Sequence, residues 1–78
     1  MACRIGITTR PDERKAEHER RFRNLSKWEI RGKFSSKSEA QSWENAEKVR
    51  TGCEAHPGGD GDENDTWHGY YFEHDGEK

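Results

Sequence analysis

Aliphatic side chains are scarce in this chain. Leu, Ile, Val and Phe number eight among 78 residues, with one Leu and one Val. That share is low enough to raise disorder as an alternative to a packed domain. No apolar run approaches the roughly 20 residues of a membrane-spanning helix, so no membrane partner is expected. Cysteine is limited to Cys3 and Cys53, which allow one bridge at most. No charged and apolar leader precedes them, so reduced thiols in a cytoplasmic protein are expected, with Cys3 packed as a small hydrophobe. What is present argues for folding. The net charge is only −2, and Trp28, Trp43 and Trp67 each bring a large apolar surface. The length fits one domain, residues 1–78, with a thin, aromatic-weighted core.

The modest net charge conceals a split. Residues 1–52 hold thirteen of the fourteen Lys and Arg against eight acids, whereas residues 53–78 hold Lys78 alone against eight acids. The basic part suits a polyanion, and the acidic part would repel one or cover the basic face from within the chain.

Periodicity orders the elements. Cys3, Ile5 and Ile7 alternate with Arg4, Gly6 and Thr8, which predicts a short strand with one apolar face. Pro11, followed by Asp12 and Glu13, opens a helix expected to run to about Arg23. From Lys27 to Phe34, Trp28, Ile30, Gly32 and Phe34 alternate with charged residues, which predicts a second strand. Ser36 and Glu39 fit a capping box. The helix they open carries Ala40, Trp43, Ala46 and Val49 and stops at Gly52. Residues 53–65 read as a flexible Gly- and Asp-rich loop. Residues 66–73 return as an aromatic strand, with Trp67 and Tyr71 on one face and Tyr70 and Phe72 on the other. The polar end of the chain is expected to fray.

Metal motifs are weak. Cys53 and His56 have the spacing of a zinc ligand pair, but His68 and His74 complete it irregularly. Asp60, Asp62 and Asn64 alternate as in a calcium loop, yet Asp65 stands where the turn glycine is needed and Tyr71 where the bidentate acid is needed. Two other groups are more telling. Arg14 and His18 are four apart on the first helix and share a face, where a cation and an imidazole suit a phosphodiester. Glu44 borders the apolar stripe of the second helix, where a carboxylate can hold a hard divalent ion. Either group also suits a plain solvated helix face.

The run Arg4-Ile5-Gly6-Ile7-Thr8, with Arg14 and His18 following, resembles the second half of the GIY-YIG nuclease signature. Thr, Arg and His stand two, eight and twelve positions after the glycine. Phe34 to Ala40, continuing to Glu44, resembles that family's later strand-to-helix segment. The resemblance spans residues 4 to about 50. Arg4 occupies the place of the YIG tyrosine, and no GIY strand precedes it. Gly69-Tyr70-Tyr71 looks like a GIY triplet, and a C-terminal strand antiparallel to residues 3–8 would restore the hairpin in circularly permuted order.

The resulting expectation is a small α+β domain in the order β-α-β-α-β. It has a three-stranded, mainly antiparallel sheet, two principal helices, and the first strand between the Trp28 strand and the C-terminal strand. Trp28, Ile30, Phe34, Ile5, Ile7 and Trp43 are expected to supply most of the core. The resemblance implies nucleic-acid binding with metal-dependent phosphodiester hydrolysis. Glu44 would hold Mg²⁺ or Mn²⁺, Arg14 would stabilise the transition state, Tyr71 would help activate water, and His18 would hydrogen-bond within the site. Arg4, Arg10 and Lys15 are the expected phosphate contacts on DNA or another nucleic acid. The alternative is a non-catalytic descendant acting as a binding or protein-interaction module.

Overall fold

The computed structural model, which describes residues 2–55 and 61–78, runs β1 (Ala2–Thr8), α1 (Pro11–Arg21), β2 (Ser26–Phe34), α2 (Lys37–Thr51), β3 (Glu54–Ala55) and β4 (Trp67–His74). The strands form one mixed sheet in the order β2-β4-β1-β3. The α+β class and both helices agree with the sequence reading, but the sheet has four strands instead of three. β4 pairs antiparallel with β1 from Ala2↔His74 to Thr8↔His68, and with β2 on its other edge. β3 runs parallel to β1 at Arg4↔Glu54 and Ile5↔Ala55. The Trp28 strand therefore flanks β4, not β1. The cause lies in β4, which buries Trp67, Tyr70 and Phe72 on alternate faces. A strand apolar on both sides belongs in the interior of a sheet covered on both sides.

The alternation of β1 and β4 assigns each helix a face. Arg4, Gly6, Tyr70, Phe72 and His74 share the face under α1, where Phe22, Tyr70 and Phe72 form a core flanked by Leu25 and Trp28. Ile5, Ile7, Trp67 and Gly69 share the other face, where Ile7, Ala40 and Trp67 pack with Phe34 and Trp43 under α2. Gly69 admits this packing, because a Cβ there would lie 2.6 Å from the Trp43 ring.

β2 departs from its apparent alternation. The pairing sequence shifts between Ser26 and Glu29 and again between Ile30 and Gly32, so Lys27, at φ 54°, and Arg31 fall at bulges. Each extra residue reverses the facing of the residues after it. Trp28 consequently joins the α1 side while Phe34 joins the α2 side, and Ile30 is left 45% exposed. Of the expected core residues, Ile5 and Ile7 are buried, Trp28, Phe34 and Trp43 pack against the core half-buried, and Ile30 is corrected to the surface; Phe22, Ala40, Cys53, Trp67, Tyr70 and Phe72 complete the core.

Local signals set the helix ends. Pro11 stands in the first turn of α1, with Asp12 and Glu13 beside it. α1 stops at Arg21, short of Arg23, which frees Phe22 to turn into the core. Ser36 Oγ accepts from the Glu39 amide, and Gly52 ends α2 in the left-handed conformation at φ 73°. The chain end is not frayed. Arg23 N donates to Gly76 O at 2.8 Å, Asp75 N to Arg23 O at 2.9 Å and Lys78 N to Arg21 O at 2.8 Å, an arrangement that closes the tail over Phe22. The 53–65 stretch is likewise more ordered than expected where described, since it contains β3 and an Asp62–Asp65 turn.

Cys3 and Cys53 are joined in a disulfide, with Cα atoms 5.0 Å apart. The reduced thiols expected from the sequence are corrected here. Each cysteine precedes one member of the Arg4↔Glu54 pair, so the parallel ladder brings them level. The bond also removes Cys53 as a zinc ligand, and His56 lies outside the described residues. The cytoplasmic expectation, drawn from the want of a leader, had reduced thiols as its corollary, and the disulfide removes that corollary. Among the described residues, no helix is long and apolar enough to cross a membrane. Closing a loop of 50 residues' separation stabilises by about 4 kcal/mol in the chain-entropy treatment. Thiol titration without reductant should find no free thiol, and reduction should lower Tm by roughly 15–30 °C. Two reactive thiols in the unreduced protein would contradict this pairing.

Candidate functional site

The turn from β1 into α1 forms the wall of a cleft. Thr8 is buried at the strand end, and its Oγ1 accepts from Arg10 N at 3.0 Å. Arg10 occupies the N-cap of α1 but supplies no side-chain cap, so the first-turn amides have no capping acceptor from that residue. Thr8, Thr9, Arg10, Glu13, Arg14, Glu17 and Gly61 line a cavity of about 380 Å³ here. Arg10 pairs with Glu13 at 3.3 Å and Arg14 with Glu17 at 3.2 Å. Arg10 points largely to solvent, while the Arg14 side chain is mostly covered. Arg14 is therefore the cation fixed at the cleft.

The other two cations expected at phosphate stand elsewhere. Lys15 is exposed on α1 and does not line the cleft. Arg4 sits toward the opposite end of β1, stacked on Phe22 at 5.0 Å and paired with Glu54 at 3.0 Å and Glu77 at 3.8 Å. Its Nε is buried without a hydrogen-bond partner among the described residues. Arg4 thus acts as an internal strut between β1, β3 and the chain end.

One turn beyond Arg14, α1 places His18 against the sheet. A 2.9 Å hydrogen bond joins His18 Nε2 to the Tyr70 hydroxyl. Phe22, Trp28 and Phe72 surround the imidazole. Tyr70 lies across Gly6, where a Cβ would collide with the phenol hydroxyl. Burial pushes the Tyr70 hydroxyl well above the ordinary phenol range; the Arg14 and Arg4 charges oppose this, and those of Glu44 and Glu17 add to it. Tyr70 consequently keeps its proton.

Tyr71 points the other way. Its hydroxyl donates to Glu73 at 2.7 Å and its ring lies under the Arg31 guanidinium at 4.0 Å. That hydrogen bond to Glu73 is the main reason its hydroxyl also titrates above the usual range. The tyrosine beside His18 is therefore Tyr70, not Tyr71. The sequence shows that the two face opposite ways, but only the β1–β4 register shows which of them meets His18.

Glu44 is only 5% exposed. It stands one turn after Ala40 on the sheet-facing stripe of α2, across the sheet from His18. Gln41 Nε2 donates to its Oε1 at 2.8 Å, and Oε2 is buried without a partner among the described residues. Burial raises its pKa above 4.5, against the pull of Gln41 and Lys48. This setting does not suit Mg²⁺ or Mn²⁺. Mg²⁺ keeps several waters and favours one or two accessible carboxylates, whereas this carboxyl is enclosed and half engaged. No three His, Cys, Asp or Glu among the described residues are grouped to hold an ion.

The acidic stretch packs away from the cleft. Glu63 O accepts from Lys37 N at 2.9 Å, the Glu63 carboxylate accepts from Ser38 N at 3.2 Å, and Trp67 Nε1 donates to Asp62 O at 2.9 Å. These bonds spend Glu63 on the start of α2, where a negative charge is favourable. Only Gly61 of this stretch reaches the cleft, and Asp60 lies outside the described residues.

Comparison with protein-family models, characterised proteins and solved structures finds no match. The chemistry of the site therefore rests on its geometry. Because burial makes the folded state favour the neutral Glu44 carboxyl, its contribution to stability is fully present below the ordinary carboxyl range and is lost as pH rises through the elevated pKa. Glu44→Gln should raise stability at pH 7 by about 1 kcal/mol, with less gain at pH 4. Thermal melts across pH 4–8 check this, and a lower Tm for the variant at pH 7 would contradict it.

Proposed function

We propose that this chain is a divergent GIY-YIG-like domain that binds nucleic acid by its backbone phosphate, without hydrolysing it. The observation that carries this is a division of labour on α1. Arg14 stands at an open cleft, while His18 and Tyr70, 2% and 1% exposed, are bonded to each other in the interior. A phosphate in the cleft meets the Arg14 guanidinium and the first-turn amides of α1, both suited to an anion. The Glu13 and Glu17 pairs must yield, but ion pairs of this exposure are worth only about 0–1 kcal/mol. Hydrolysis would need a group that reaches the phosphate and exchanges protons with water. Of the groups the resemblance brings to the reaction, His18 is enclosed with Tyr70 and Glu44 lies across the sheet, while Glu13 and Glu17 in the cleft are engaged by Arg10 and Arg14. The β1–β4 pairing supports the permuted resemblance, since it sets Gly69-Tyr70-Tyr71 beside Arg4–Thr8 in antiparallel register.

Fluorescence anisotropy with inorganic polyphosphate and a labelled oligonucleotide tests the reading. Binding should weaken steeply with salt. Arg14→Ala should cost about tenfold in affinity for both ligands, and Arg10→Ala only a few-fold. Tyr70→Phe should leave affinity within about twofold while lowering stability by about 1 kcal/mol. An unchanged affinity in Arg14→Ala would place the phosphate elsewhere. Oligonucleotide cleavage that tracks Tyr70 would overturn the non-catalytic assignment.

A further inference from the structure

α1 covers only part of its face of the sheet. The register lays out what remains as two rows across three strands. Lys33 pairs with His68 and His68 with Thr8, while Ile30 pairs with Tyr70 and Tyr70 with Gly6. Paired residues share a face, so Lys33, His68 and Thr8 form one row and Ile30 leads the other. The bulge at Arg31 is what turns Lys33 onto this side. Thr8 also lines the cleft, so the strip runs continuously from Arg14 to the β2 edge.

Its surface is mixed in a specific way. Ile30 is 45% exposed, one of two large hydrophobics so exposed among the described residues; the other is Val49 on α2. Trp28 is half-buried, its indole stacked on Tyr70 at 4.8 Å. Lys33 is exposed and has no acidic partner among the described residues. An apolar patch of Ile30 and Trp28 thus lies along β2 beside Lys33, with His68 between this edge and the Arg14 cleft.

We propose that this strip is the base-binding half of the site and that its occupant is single-stranded nucleic acid. One phosphate occupies the Arg14 cleft, the neighbouring base lies on Ile30 and the indole edge of Trp28, and Lys33 meets the next phosphate. The proposal rests on the phosphate reading above and adds the form of the ligand. Charge complementarity selects a polyanion, because Lys33 and Arg14 stand at the two ends of the Lys33–His68–Thr8 row beside the apolar patch. The exposed apolar surface of Ile30 and Trp28 selects an unpaired strand, because a duplex stacks its base faces away and leaves only edges and backbone to be read. Sheet faces with apolar platforms and flanking cations suit splayed bases with little sequence preference.

The test uses the full chain and three probes in anisotropy or competition assays: a thymidine 10-mer, a blunt 10-base-pair duplex and inorganic polyphosphate. The 10-mer should bind at least tenfold more tightly than the duplex. Ile30→Ala should weaken the 10-mer by about five- to tenfold and leave polyphosphate within twofold, Lys33→Ala should weaken both about five- to tenfold, and Val49→Ala should change neither. Equal affinity for duplex and single strand, an Ile30→Ala variant that binds the 10-mer like the parent, or an equal loss in Val49→Ala would overturn the proposal. If polyphosphate binding is absent or indifferent to Arg14→Ala, the phosphate reading itself fails and takes this one with it. Intact, Arg14-dependent polyphosphate binding without the single-strand preference removes only the base platform.

Discussion

Tyr70 lying across Gly6 is the contact on which the rest of the molecule depends. It fixes the β1–β4 register, and in a sheet buried on both sides a slip of one residue exchanges the faces completely. In the observed register the phenol meets His18, Phe72 meets Phe22, and Trp67 and Ile7 turn to α2. Shifted by one, Tyr71 would face His18, and Trp67 would leave the α2 core. Each large side chain so buried contributes about 1.5–3 kcal/mol, which is a large fraction of the stability of so small a domain. Gly6 permits the contact because any side chain there would occupy the space of the phenol.

Strand and helix positions were legible to within a few residues, because alternation, Pro11, Ser36 and Gly52 carry local signals. The opposite facing of Tyr70 and Tyr71 was legible too. The strand order was not, since nothing in β2 alone says whether its partner is β1 or β4. The bulges at Lys27 and Arg31 were hidden for a different reason. Both are ordinary charged residues within a run that alternates well; nothing marks the break at Lys27, and Gly32 beside Arg31 is the one local sign of the other. Trp28 and Phe34 therefore read as one face when they serve two. The disulfide was invisible because it depends on the two-residue strand β3, whose parallel pairing is a tertiary event. The chain end looked free to fray because its polar side chains conceal backbone bonds made to residues 21–23.

For the candidate site, the offsets from Gly6 singled out Thr8, Arg14 and His18, yet sequence spacing could not separate the cleft from the interior. Arg14 and His18 share a helix face, but one turn of helix carries the chain from solvent to core. Burial then assigns them different work: Arg14 can meet an anion, and His18 holds Tyr70. Burial likewise separates Glu44 from the metal chemistry that its position suggested. A thin core, a covalent staple between β1 and the end of α2, and aromatic rings packed around one imidazole together explain how a chain with so few aliphatic residues folds.

The most direct test of this account is a nuclear Overhauser spectrum of the oxidised protein, with the two tyrosine rings assigned. The account predicts cross-peaks from the Tyr70 ring to the Gly6 α-protons and to the His18 imidazole, with the Tyr71 ring seen only by Arg31, Glu73 and their neighbours. Cross-peaks from the Tyr71 ring to His18 or Gly6 would contradict it, because they require the other register and with it a different core, cleft and strip.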